Sequence, residues 1–131
     1  MAPANAEIVR RIYEAWSRSE FPGPAELIDP EVEYVNPAGA IEHGTRRGLA
    51  EFGAALAKTL EAWEYWRAEP EELREIEDNV IAVLRYRTRG KGSGVEIEGR
   101  ESALWTLRDG KVIRYEWFHG TDDASAAAGL R

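Results

Sequence analysis

Apolar residues recur near the start of the chain at spacings of three and four: Ile8, Val9, Ile12, Tyr13 and Trp16. That period puts them on one stripe of a helix over residues 5 to 18, with Asn5 as the candidate N-cap. The stretch Phe21-Pro-Gly-Pro24 interrupts the pattern, and Pro24 can open a short second helix that ends before Asp29-Pro30. From Glu31 to Asn36 the period becomes two. Val32, Tyr34 and Asn36 fall on one face and Glu33 and Val35 on the other, which predicts a strand closed by Pro37. After a loop from Ala38 to Gly44, Thr45 can cap a longer helix with the stripe Leu49, Phe52, Leu56, Leu60 and Trp63. From about Glu64 the pattern is that of strands, broken at Asp78-Asn79, at Gly90-Lys-Gly-Ser-Gly94 and at Asp109-Gly110. Three hairpin turns then join four strands. The Ala-rich tail from Asp122 to Leu130 is read as a short last helix or an ordered extension.

This order predicts an α+β fold in which helices cover one face of a curved antiparallel sheet and leave a pocket at its open end. Neither a repeat nor a linker divides residues 1–131, so one domain is expected. A chain of this length hides roughly two-thirds of its unfolded surface, enough for a core without staples. The absence of cysteine excludes a disulfide scaffold and a thiolate metal site. With 17 Lys and Arg against 24 Asp and Glu, the net charge of -7 gives no broad positive field, so no nucleic-acid partner is expected. The longest aliphatic run, Val80 to Leu84, is far short of the roughly 18 residues of a membrane span. Met1-Ala-Pro-Ala-Asn5 lacks a basic segment followed by an apolar one, so a cytoplasmic protein with no membrane partner is expected. His43 and His119 have no paired ligand spacing, and no metal is expected.

Five segments carry a resemblance: Val9-Arg-Arg-Ile-Tyr-Glu-Ala-Trp16, Asp29-Pro-Glu-Val-Glu-Tyr-Val-Asn-Pro37, Gly90 to Gly94, Trp105-Thr-Leu-Arg-Asp-Gly-Lys-Val112, and Ala124 to Leu130 following Glu116. In order and spacing the chain resembles the SnoaL-like branch of the nuclear transport factor two-like superfamily, which also holds ketosteroid isomerases and limonene epoxide hydrolases. The resemblance implies a cone-shaped α+β barrel around one apolar pocket, homodimeric through the sheet, and cofactor-free isomerase, cyclase or hydrolase chemistry. It does not carry over the family's carboxylates. The isomerase base position matches Asn36, the acid position matches Ala103, and Ile12 falls nearest the tyrosine's, with Tyr13 about 100° around the helix. The hydrolases' Asp-Arg-Asp triad is similar at Arg85, and the Tyr and Asn that help hold its water at Tyr34 and Asn36, but the aspartates depart at Arg87 and Trp117, and Trp117 also occupies the cyclase aspartate's position.

Strand registers add other candidates. A five-residue loop at Gly90–Gly94 would set Arg87 against Ile97 and Arg85 against Gly99, turning both arginines inward toward a carboxylate or enolate ligand. At Asp109-Gly110 a two-residue turn and a three-residue loop compete. The second is preferred, because it puts Ile113, Tyr115, Trp117 and His119 on the face of Ala103 and Trp105. Glu101 then stands opposite Trp117 and diagonal to Arg85, and a turn at Asp78-Asn79 brings Glu72 beside Arg85. An acidic pair around Arg85 could replace the lost aspartates; the plainer reading is cross-strand ion pairing.

Two functions follow from these candidates. One is a small enzyme acting on an aromatic or polyketide-like compound, with Glu101 and His119 as acid and base and with Tyr34 and Asn36 orienting substrate or water. Arg85, Arg87, Trp105, Tyr115 and Trp117 would complete its binding site. The other is a noncatalytic ligand-binding or accessory domain that keeps the pocket for a small hydrophobic or aromatic molecule.

Overall fold

The computed structural model describes residues 4–36, 44–61, 63–118 and 124. The N-terminal stripe becomes helix α1, Asn5–Ser17, which buries Ile8, Val9, Ile12, Tyr13, Ala15 and Trp16. Its cap position is held by Ala4 and not by Asn5, and no side chain of that residue closes the turn. Instead Glu75, from a distant strand, accepts the Ala6 N–H at 2.9 Å, so tertiary packing supplies the acceptor that a local cap would have given. Pro24 precedes a single 3-10 turn, Ala25–Leu27, and strand β1 follows as Ile28–Asn36.

The expected loop and cap before the second helix are corrected. Gly44–Arg47 form strand β2, paired antiparallel with β1 from Asn36↔Gly44 to Glu33↔Arg47. Thr45 lies in this strand, and helix α2, Leu49–Leu60, begins behind Gly48. The φ of 101° at Gly48 is one that glycine adopts without a Cβ penalty. Phe52, Ala55 and Leu56 are the buried face of α2, and Trp63 belongs to the next strand. The meander is β3 Trp63–Ile76, β4 Asn79–Gly90, β5 Glu96–Arg108 and β6 Lys111–Phe118.

The six described strands form one sheet in the order β2-β1-β6-β5-β4-β3. It is curved but unclosed, with β2 and β3 at its edges, so the expected barrel is an open one. It is also mixed: β1 runs parallel to β6, with Tyr34 beside Tyr115 and Val35 beside Glu116. No hairpin joins those two strands, and the path through α2 and the meander brings β6 alongside β1 in the same direction.

Three expected registers are corrected. At the β4–β5 turn Gly90 N–H donates to Val95 O at 3.0 Å and Arg89 pairs with Glu96, so the loop is one residue shorter than expected. That slip exchanges the faces of β4 relative to β5. Leu84 opposes Glu101, Ala82 opposes Ala103, and Arg85 opposes Arg100. At the β3–β4 turn Ile76 pairs with Asn79, which sets Glu69 against Arg85 and Glu72 against Val83. At the β5–β6 turn Asp109 and Gly110 have φ of 53° and 78°, a two-residue turn closed by Arg108↔Lys111. The three-residue loop is therefore absent. The pairs Leu107↔Val112 and Thr106↔Arg114 leave Ile113 as an extra residue in β6. This bulge restores the expected faces, and Tyr115 and Trp117 oppose Trp105 and Ala103.

The concave face is built of rows across the strands. One row is Val80, Trp105, Tyr115 and Tyr34; the next is Leu73, Ala82, Ala103 and Trp117; the next is Pro70, Leu84 and Glu101. Helix α1 packs on β3 and β4, and α2 on β1. Between helices and sheet, Trp105 has ring centroids 4.5 Å from Tyr115, 5.3 Å from Tyr13 and 5.6 Å from Trp16. On the convex face the buried Ser102 hydroxyl accepts the Ala124 N–H at 3.3 Å. The rest of the tail that the sequence reads as a last helix lies outside the described residues.

Candidate functional site

A cavity of about 80 Å³ opens at the end of the core beyond Trp105. Trp16 from α1 and Leu56 and Leu60 from α2 form its roof with Phe21, while Tyr34, Tyr115, Trp117, Trp63 and Trp66 stand on the strands. Glu101 is the single carboxylate of this lining. It is there because alternation on β5 carries positions 97, 99, 101, 103 and 105 to the concave face, and every other residue of that set is uncharged.

Among the described residues no cation pairs with Glu101. Burial alone pushes its carboxyl from the ordinary 4.5 up to about 7, because an ionised group loses water there without gaining a counter-charge. Two phenols near it are shifted in the same direction. The Tyr115 phenol is held well above its usual range, first by burial and further by the charges of Tyr13 and Glu101. The Tyr13 phenol is likewise raised by burial, though its hydroxyl accepts the Trp105 indole N–H at 3.0 Å, which acts in the opposite direction. A carboxyl near neutrality among apolar rings can give or take a proton, and the surrounding phenols stay protonated.

The sequence candidates are distributed unequally. Tyr34, Tyr115, Trp117 and Glu101 meet in the cavity wall. Trp105 is on the same face but fully buried in the core behind it. Asn36 accepts the Trp117 indole N–H through Oδ1 at 2.6 Å, so it fixes the plane of one wall. The inward placement of Arg85 and Arg87 is corrected: both are exposed on the convex face, the direct result of the β4–β5 register. Arg87 Nε donates to Glu98 there at 2.7 Å, and the two arginines border a separate surface depression of about 370 Å³. The acidic pair around Arg85 does not assemble, since Glu101 faces away from it and Glu72 opposes Val83. His43 and His119 lie outside the described residues. Among those described, no three His, Cys, Asp or Glu side chains stand together as a metal site.

Trp16, Phe21, Leu56, Leu60, Trp63 and Trp66 are the wall residues that sequence reasoning missed. Most lay in plain view in the helical stripes, where an apolar residue reads as core. Nothing in periodicity marks the end of a core that stays open.

Known proteins are similar over this whole arrangement. A family model described as SnoaL-like domain matches residues 9–115. An uncharacterized protein of Mycobacterium tuberculosis is 28% identical over 124 residues, 93% of each chain. The crystal structure of TerC co-crystallized with polyporic acid superposes with a TM-score of 0.79 at 26% identity, over 96% of both chains. An NTF2-like protein of Burkholderia thailandensis gives 0.79 at 27% identity, over 98% of this chain and 99% of that one. A putative SnoaL-like polyketide cyclase of Jannaschia sp. gives 0.75 at 22% identity, over 87% of this chain and 83% of that one, a likeness of fold.

Proposed function

Because the chain belongs to the SnoaL-like domain family of the nuclear transport factor two-like superfamily, we propose that its pocket performs cofactor-free proton transfer on an aromatic or polyketide-like compound, with Glu101 as the acid and base. The observation that carries this reading is the isolation of Glu101: one carboxyl, near neutrality, among seven aromatic rings. Ionised, it takes a proton from a carbon beside a ring carbonyl, and the electron pair of that C–H bond passes to the carbonyl oxygen as an enolate. Protonated, it returns the proton to another carbon as the carbonyl re-forms. Glu101 would thereby do the work of the family carboxylates whose positions hold Asn36, Ala103 and Trp117. His119 is the second group for that role. The co-crystal of TerC with polyporic acid supports a small organic ligand in this fold.

Glu101→Gln tests the proposal on a panel of ring ketones, epoxides and polyketide-like compounds that raise the melting temperature of the parent protein. Turnover is expected to fall at least about 100-fold with binding retained. Full turnover by the glutamine variant would remove Glu101 from the chemistry. Binding without turnover by the parent would establish the second reading, a noncatalytic ligand-binding domain, which the loss of the family carboxylates favours.

The homodimer implied by the family belongs to the same proposal, with the convex face as its surface. That face carries both signs of charge, Arg85, Arg87 and Arg89 on β4 against Arg100, Glu98 and Glu96 on β5, a pattern able to complement a copy of itself. Sedimentation velocity is expected to show a species of twice 14.7 kDa that Arg85→Glu weakens; a monomer at all concentrations would refute it.

A further inference from the structure

The concave face continues outward past Glu101. The next row toward the β4–β5 turn holds Ala68, Tyr86 and Gly99, and the one after it Trp66, Thr88 and Ile97. Gly99 leaves no gap in this floor, because the Tyr86 ring lies over it: a Cβ at Gly99 would fall 2.6 Å from the Tyr86 hydroxyl. Ile97 is 41% exposed and Val95 57%, the large apolar side chains that the described residues leave in water. Trp66 belongs both to this floor and to the cavity wall. An apolar surface therefore runs without a break from the carboxyl to the end of the sheet.

The cavity alone cannot hold a whole ligand of the proposed class. It measures about 80 Å³, whereas a cavity that admits one benzene is about 150 Å³ and ligand sites of ordinary size exceed about 300 Å³. A ring presented to Glu101 must reach outward over the floor. Resting on the pocket reading above, we infer that the ligand is elongated and two-part: one ring beside Glu101, and a second apolar segment lying on Trp66, Tyr86 and Ile97. Four residue steps along β5 lead from Glu101 to Ile97, about 13 Å, the span of two linked rings. The continuity of the floor with the cavity selects this occupant over a second copy of the chain, for which the charged convex face offers the complementary surface.

Phenol and 4-phenylphenol serve as one-ring and two-ring probes, measured by calorimetry on the full chain and on Ile97→Asn. Ile97 is exposed, so this change is expected to leave the melting temperature unaltered. The parent is expected to bind 4-phenylphenol at least tenfold more tightly than phenol, and Ile97→Asn to abolish that advantage while leaving phenol affinity unchanged. Equal effects of Ile97→Asn on both probes, or none on either, would overturn the two-part ligand and leave the cavity standing. Failure of the parent to bind either probe would overturn both the inference and the pocket reading. Dissociation of a dimer by Ile97→Asn, with both probes still bound alike, would assign the surface to a second copy and overturn the inference.

Discussion

Replacing Trp105 by alanine is expected to remove about 4 kcal/mol of folding stability, a third or more of what a domain of this size possesses. Three effects act together. The indole is fully buried and packs against Tyr13, Trp16 and Tyr115, so truncation empties the centre of the core. Its N–H is the donor to the Tyr13 hydroxyl, and that buried oxygen would lose its partner. The space lies between α1 and the sheet, where neither helix nor strands can close on it without disturbing the rows on either side. Urea unfolding monitored by circular dichroism measures the change. A loss under about 1.5 kcal/mol would mean that the core collapses around the void or that water fills it. Trp105→Phe, which keeps most of the volume and loses the N–H, is expected to cost about half as much.

Glu101→Gln is expected to change how stability depends on pH, independently of any substrate. The folded carboxyl titrates at about 7 and the ordinary value is 4.5, so between those limits the folded state holds a proton that the unfolded chain has released. The stability this contributes is fully present below the ordinary value and is lost as pH rises through 7, a difference of about 3 kcal/mol. Against Glu101→Gln, which has nothing to titrate there, the parent should therefore weaken steadily from pH 5 to pH 7.5 and run parallel above it. Every other carboxylate and both histidines are common to the two proteins and cancel in the difference. Parallel profiles across the whole range would show that Glu101 is solvated like a surface acid, and the proton-transfer proposal would lose its carrying observation.

The helices were legible because each buries a single stripe, and Phe52, Leu56, Ile8, Ile12 and Trp16 announce that stripe at the right spacings. Strand β2 was not. Gly44-Thr-Arg-Arg47 contains no apolar residue and buries almost nothing, so only its backbone pairing to β1 makes it a strand. The parity of β4 was obscured for the opposite reason. Val80, Ile81, Ala82 and Leu84 are all buried, because core covers the concave side while Ser102 and Ala124 lie on the convex one, and a run buried on both faces shows no alternation. The signal existed farther along, where Arg85, Arg87 and Arg89 alternate with Tyr86 and Thr88. Charges recurring at every second position mark the solvent face, and that reading would have turned both arginines outward. Glu101 was a candidate from the sequence, and the companions expected for it depended on a loop longer by one residue than the one present.

The parallel pairing of β1 with β6 sets the order in which the molecule can assemble. Ile28 meets Val112, Tyr34 meets Tyr115, and Tyr13 waits for Trp105 across 92 positions, so part of the packing of the first third of the chain waits for the last. As the chain emerges from the ribosome, β1 can pair with β2 and α1 can dock on β3 and β4, but Tyr34 still lacks Tyr115 and Tyr13 still lacks Trp105. The N-terminal elements can therefore complete their packing only when β5 and β6 are in place. Contacts of such sequence separation slow folding, because loop-closure entropy is lost before they form. Until β6 is complete, the edge of β1 that receives it stays open, an unpaired strand edge that another extended chain could fill.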